Sequence, residues 1–272
     1  MQTRVIVLEQ RGGLGHADAT AGPGLDSGVL VLPLEDATGL SEHVTSESPV
    51  LVLAEAAHAG LLGRACGLLA AGTDVPVASR ALRHGPLAVR LLADRVAHLD
   101  LSPAQAVAAL DDVASATWSG AWVPSVAGLD DPSPSLGQHL RSWLPGGHGF
   151  LIVHHPHPRV RVVRADAAEE LVEAGLRPVL VVAGEGAPVV ALEQAQRAAS
   201  ARSRSAVRSL PDARARYGIA AAVELAALPG DLPTAPAGEG TCGGCGLPQT
   251  TVTCPFCHRS SVVALLTEPD ST

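Results

Sequence analysis

The chain has 272 residues, 47% of them hydrophobic, enough apolar material for one sizeable core or a main domain with a small appendage. Its net charge of −8 opposes binding of the chain as a whole to phosphate-rich surfaces, and its six aromatic residues leave few platforms on which bases could stack. All nineteen basic residues are arginine, which excludes lysine Schiff-base chemistry and an ordinary phosphate loop ending in Gly-Lys-Ser/Thr.

The N-terminus, "MQTRVIVLEQ", lacks the basic and long apolar regions of a secretion signal, and no apolar run approaches the ~20 residues of a bilayer span. A cytoplasmic protein with no membrane partner is expected. Short Val- and Leu-rich runs follow one another at 4–10, 28–34, 49–55, 149–155, 159–165 and 177–184. Their continuous hydrophobicity predicts strands buried on both faces. Helical patterns occupy 55–72, 86–99, 102–116 and 166–175, with an Ala/Arg-rich stretch from Ala187 to about Leu210. The pattern at 102–116 opens on a Ser N-cap followed by Pro at the first helical position. Strands alternating with helices predict an α/β fold, a layered and mostly parallel sheet flanked by helices.

The Gly-, Pro- and Ser-rich segment 118–149 holds all three tryptophans and is a possible hinge or a loop over a pocket. The α/β domain is expected to span 1–228, followed by a linker at 229–240 and a small zinc ribbon at 241–264.

That last segment carries the strongest chemical signal. Cys242 and Cys245 form one CxxC knuckle, Cys254 and Cys257 another, eight residues apart. Each knuckle directs two thiolates at one ion, and four thiolates with no open position make a structural zinc site, one Zn2+ per chain. Disulfides and a redox CxxC are the alternatives; a chain without a secretion signal argues against the first, paired knuckles against the second. The segment resembles the compact zinc ribbons that end many bacterial proteins. Such ribbons bind nucleic acid, bind protein or cap a fold.

The first strand runs into "RGGLGHADATAG" (11–22), a strand-to-glycine turn of the kind that holds phosphates on backbone N–H groups. Arg11, Gly12, Gly13 and Gly15 resemble the deviant phosphate loop of the ParA/MinD-like partition ATPases. His16 and Ala17 stand where that family has its catalytic lysine and magnesium-binding hydroxyl. The resemblance implies a degenerate nucleotide-binding scaffold.

Two further clusters carry possible chemistry. His154, His155 and His157 gather in "HHPHPR", where three imidazoles could bind a transition metal or supply a general base, or could simply be surface histidines of a Pro-rich turn. Arg197, Arg202, Arg204, Arg208, Arg214 and Arg216 crowd the run 197–216 with only Asp212 opposing them. Read as a helix, this run places Arg197, Arg204 and Arg208 near one stripe, suited to phosphates or to ion pairs with an acidic body. The leading functional expectation is a non-catalytic chain that binds a nucleic acid or protein partner through the Arg-rich segment and the ribbon. The nucleotide scaffold and a small-molecule enzyme using the histidine turn are the alternatives.

Overall fold

The computed structural model describes residues 3–10, 29–44, 48–99, 101–144, 147–164, 178–207, 216–219, 221–230, 240–249, 251 and 253–259. The glycine turn at 11–22, the helical pattern at 166–175, Arg208, Arg214 and most of the linker lie outside them.

The first half builds a four-stranded sheet from β1 (Arg4–Glu9), β2 (Val29–Pro33), β3 (Val50–Glu55) and β4 (Val77–Leu82), in the order β2-β1-β3-β4. All three pairings are parallel. The unbroken apolar runs follow from coverage on both faces. Ile6, Leu8, Val52 and Ala54 pack with α1 (Ala59–Gly72) and a 3-10 segment, Leu34–His43. Val5, Val7, Leu51 and Leu53 pack on the opposite face with α2 (Pro86–Ala97) and α3 (Pro103–Ala116). The sequence signal for α3 is realised as a capping box: Gln105 N–H donates to Ser102 Oγ, and Ser102 N–H donates to Gln105 Oε1 at 3.0 Å.

A second, six-stranded sheet uses β5 (Trp118–Val123), β6 (Phe150–His155), β7 (Arg159–Val162), β8 (Val179–Ala183), β9 (Ser203–Val207) and β10 (Val223–Ala227), in the order β7-β6-β5-β10-β8-β9. It is mixed: β8 and β9 pair in parallel, and the other four pairings are antiparallel. One face, with Trp118, Leu151, Leu180 and Leu225, is covered by α5 (Val189–Ala198). A short helix, α4 (Leu136–Ser142), lies between β5 and β6 in the chain and is fixed to β7 by the Gln138 side-chain amide donating to Val160 O.

Helix α2 joins the two layers. Val89, Leu92, Ala93 and Val96 face the parallel sheet, while Leu87 and Ala88 pack on Ala183 and Ala226 of the mixed sheet. Both faces are therefore apolar, as a helix buried between layers requires. Each fully buried Leu or Val in it contributes about 1.5–3 kcal/mol. The α/β class expected from the alternating pattern is what forms.

The cysteine segment is a small module. A two-residue hairpin, β11 (Gly240–Thr241) with β12 (Pro248–Gln249), precedes the second knuckle. Cys242, Leu247, Cys254 and Phe256 are buried in the same cluster as Val107 and Leu110 of α3. The module thus rests against the helical face of the main body.

Candidate functional site

Parallel α/β sheets place ligand sites beyond the carboxyl ends of their strands. Here those ends carry acids: Glu9 closes β1 and Glu55 closes β3. Each meets an arginine from elsewhere. Arg90 of α2 makes a two-pronged ion pair with Glu9. Arg216 brings Nε to 2.8 Å from Glu55 Oε2, but without an aligned N–H, so neither atom has a formal hydrogen-bond partner.

A cavity of about 420 Å³ opens at this edge. Glu55, Ala56 and Ala57 line it from the end of β3, and Leu82, Arg83 and His84 from the end of β4. Across the gap stand Asp131, His154 and Arg216, all from the second half of the chain. From this wall His154 Nε2 reaches back to within 3.0 Å of the Tyr217 hydroxyl, and both residues are buried. Gly85 lies against both, with a Cβ there reaching ordinary contact distance, 3.4 Å, of the Tyr217 hydroxyl and the His154 ring. His84 stacks on His155 with ring centroids 4.5 Å apart, and its Nδ1 is buried without a hydrogen-bond partner.

Burial dominates the electrostatics. Desolvation pushes the Glu55 carboxyl up to about 7, with Arg216 pulling it down and Glu9 adding to the rise. Glu224 of β10 is raised to about 8 by burial, although it accepts the Leu87 N–H at 2.7 Å. Burial lowers His84 to about 4 and His154 to about 3, with Arg216 repelling the second. At neutral pH the cavity presents the neutral imidazoles of His84 and His154, the guanidinium groups of Arg83 and Arg216, the acidic Asp131, and Glu55 with its pKa raised by burial.

A second cavity, about 580 Å³, lies on the other side of the Ala56–His58 turn. Leu34, Ala37, Leu61, Ala65 and Leu68 make it predominantly apolar, with His58 at the turn itself. The two cavities have no lining residue in common but both border that turn, the first more polar and the second mostly apolar.

The four cysteines expected to act together do converge. All are free thiols, and their sulfurs lie within 4.8 Å of one another, with Cys242–Cys257 at 3.4 Å and Cys245–Cys254 at 3.6 Å. Tetrahedral thiolates about 2.3 Å from one ion stand about 3.8 Å apart, so the set fits a metal. The knuckles repeat one backbone pattern. Gly246 N–H donates to Cys242 O and His258 N–H to Cys254 O, each closing residue having positive φ, +72° and +57°. His258 is thus a turn residue and stands apart from the thiol set.

The other expected groupings do not form. The Ala/Arg-rich run is not one helix: α5 stops at Ala198, Ser200 adopts φ 50°, and the chain returns as edge strand β9. Arg197 stays on the helix, and Arg202 and Arg204 go to the loop and strand. Arg216 turns inward to Glu55, so no arginine stripe exists among the described residues. The histidine turn is divided by strand alternation: His154 faces Tyr217, His155 lies 2.7 Å from Thr117 O, and His157 is exposed. They make no common metal or catalytic group.

No family model matches this chain, and no curated protein does. Solved structures of DegV family proteins share its α/β fold. A DegV family protein from Corynebacterium glutamicum superposes with a TM-score of 0.57 at 13% identity, covering 86% of this chain and 99% of its own. A fatty-acid-binding DegV family protein from Thermus thermophilus gives 0.58 at 13% identity, over 84% and 100%. One from Eubacterium eligens, loaded with heptadecanoic acid, gives 0.54 at 10% identity, over 84% and 99%. At these identities the likeness is one of fold.

These findings correct the functional expectations. The fold is not that of the ParA/MinD-like ATPases, and Arg11, Gly12, Gly13, Gly15 and His16 lie outside the described residues. Binding of nucleic acid or protein by an arginine stripe and ribbon is overturned, because no stripe forms among the described residues and the structural neighbours include DegV proteins described as binding fatty acids. The histidine-turn enzyme fails because its imidazoles diverge. No helix among the described residues is long and apolar enough to cross a membrane.

Sequence reading missed Glu55, Arg83, His84, Tyr217 and Glu224. One signal was available: "VLVLAE" and "AAVELAALP" each place a glutamate in or at the end of a run that is otherwise apolar.

Proposed function

We propose that this protein binds an acyl ligand, a fatty acid or a chemically similar amphiphilic acid, at the edge where its two sheets meet. The observation that carries this reading is the cavity of about 420 Å³ holding Arg83 and Arg216 beside buried, incompletely hydrogen-bonded Glu55 and His84. A carboxylate is the group that an arginine fork and neutral imidazoles receive best. The apolar cavity beyond the Ala56–His58 turn, lined by Leu34, Leu61, Ala65 and Leu68, suits a hydrocarbon tail. Both volumes lie in the range of about 300–1,000 Å³ usual for small-molecule sites. The fatty acids bound by the structural neighbours from Thermus thermophilus and Eubacterium eligens support the same assignment. Binding and release, without chemistry on the ligand, is the function proposed.

The cysteine module holds one structural zinc through Cys242, Cys245, Cys254 and Cys257. Four thiolates and no open position favour zinc over harder ions. Free thiols in such a set suit a reducing compartment, and we place the protein in the cytoplasm.

Native mass spectrometry of the purified protein tests the ligand assignment. A one-to-one adduct with the mass of a long-chain acid, extractable into organic solvent, is expected. Apo protein that also takes up no added palmitate or oleate would contradict it.

A further inference from the structure

Arg216, the arginine assigned to the ligand's acid, already has an acid beside it. Glu55 is only 6% exposed and sits on Arg216, yet the contact is poorly aligned and leaves Oε2 and Nε without formal hydrogen bonds. The surroundings disfavour a second charge there. From β1 comes Glu9, held by Arg90 of α2; from β10 comes Glu224. Tyr217 lies beside Arg216, and His58 stands on the following turn. His84 and His154 face the cavity as neutral rings, and Arg83 and Asp131 line it. Three acidic side chains, Glu9, Glu55 and Glu224, thus crowd this site, with Arg90 paired to Glu9 and Arg216 to Glu55.

Resting on the acyl-acid reading of this cavity, we propose that Glu55 is a resident stand-in for the ligand's head group. The incoming carboxylate takes the Arg216 guanidinium, and Glu55 accepts one proton and remains in place as the neutral acid. No covalent bond is made or broken. When Glu55 is ionised, its proton comes from solvent, so binding consumes up to one proton per ligand. Two carboxylates side by side with one cation cannot both stay ionised at low cost, and proton uptake removes the repulsion. The raised pKa of Glu55 is consistent with this exchange, since burial has already made its protonation easy near neutrality. Affinity then weakens as pH rises above about 7, approaching tenfold per pH unit, the limit for one linked proton.

The test is titration calorimetry with sodium decanoate at about pH 8, in two buffers of different ionisation enthalpy, on wild type and Glu55→Gln. Glutamine keeps the shape of the neutral acid, so the variant is expected to fold. Wild type should take up close to one proton. Glu55→Gln should bind decanoate several-fold more tightly at that pH, with no uptake and a flat pH profile. Decanoate binding to wild type without proton uptake would overturn the exchange while leaving the acyl-acid reading intact. Uptake that persists in Glu55→Gln would also overturn it, by assigning the proton to another group such as Glu224 or a histidine. Failure of both proteins to bind decanoate from about pH 6 to 8 would overturn the acyl-acid reading and the exchange together.

Discussion

Leu87 donates its backbone N–H to the Glu224 carboxylate at 2.7 Å, joining the first turn of α2 to the centre of the mixed sheet across 137 residues of sequence. Helix α2 has Gly85 at its N-cap and no side-chain cap of its own. Glu224 fills that role from the other layer, placing an acceptor where the helix dipole is positive. Replacing it with alanine leaves a buried N–H unsatisfied and opens a cavity, and Glu224→Ala is expected to cost about 2–4 kcal/mol in urea unfolding. Glu224→Gln keeps an acceptor and should cost about 1 kcal/mol or less. Equal losses from the two variants would refute the capping role.

Buried titratable groups set the pH range of stability. Glu55 and Glu224 have folded-state values of about 7 and 8, above the ordinary 4.5, so the folded chain retains protons that the unfolded chain releases. Their contribution is complete below 4.5 and is lost as pH rises through 7 and 8. His84 and His154, at about 4 and about 3, act in the opposite sense. Theirs is complete above 6.5 and lost as pH falls toward those values. Thermal midpoints should therefore be highest between about pH 4.5 and 6.5 and decline on both sides. Glu55→Gln combined with Glu224→Gln should flatten the alkaline side alone. A wild-type midpoint that keeps climbing to about pH 8.5 would contradict this origin.

Loss of the proposed zinc should be felt beyond the cysteine module. Cys254 and Phe256 are buried in one cluster with Val107 and Leu110 of α3. Cys254→Ser, or a strong chelator, should release one equivalent of zinc and increase hydrogen exchange in α3 as well as in residues 240–259. Protection of α3 that is unchanged after zinc release would show the module to be independent of the body.

Gly120 sits at the centre of the mixed sheet with no room for a side chain. A Cβ there would lie 2.3 Å from the backbone oxygen of Ile152 and 3.0 Å from the Trp118 ring. Gly120→Ala must separate β5 from β6 and is expected to destabilise by about 2–4 kcal/mol in urea unfolding. An unfolding midpoint unchanged by the substitution would exclude so tight a pairing.

Three strands of the parallel layer, β1, β2 and β3, were legible as uninterrupted Val and Leu runs; β4, "VASRAL", was not, because serine and arginine interrupt it at the partly exposed sheet edge. The mixed layer was less legible. Strand β5 reads "WSGAWV", where a glycine and a serine interrupt the apolar run, and β10 carries Glu224 in its interior. Strand β9, "SRSAV", is exposed throughout and is held by backbone pairing to β8, which leaves no hydrophobic trace. Ala and Arg favour helices intrinsically, and the 3.6-residue reading of that run followed propensity where sheet pairing prevailed. The cysteine cluster was legible because its spacing is local. The cavity was not, because Glu55, His84, His154 and Arg216 are brought together only by the docking of one layer on the other.

The most direct test of acyl-acid binding at Arg216 is a fluorescence titration with a fatty-acid analogue bearing a free carboxylate, competed by oleate. Arg216→Gln is made in the Glu55→Gln background, so that removing the cation leaves no unpaired buried charge at Glu55. Glu55→Gln alone should bind one equivalent of probe, displaceable by oleate, and the double variant should bind about ten- to a hundredfold more weakly, the loss of one buried charge-assisted hydrogen-bond pair. Equal affinity in the two proteins, or no saturable binding in either or in wild type, would contradict the assignment.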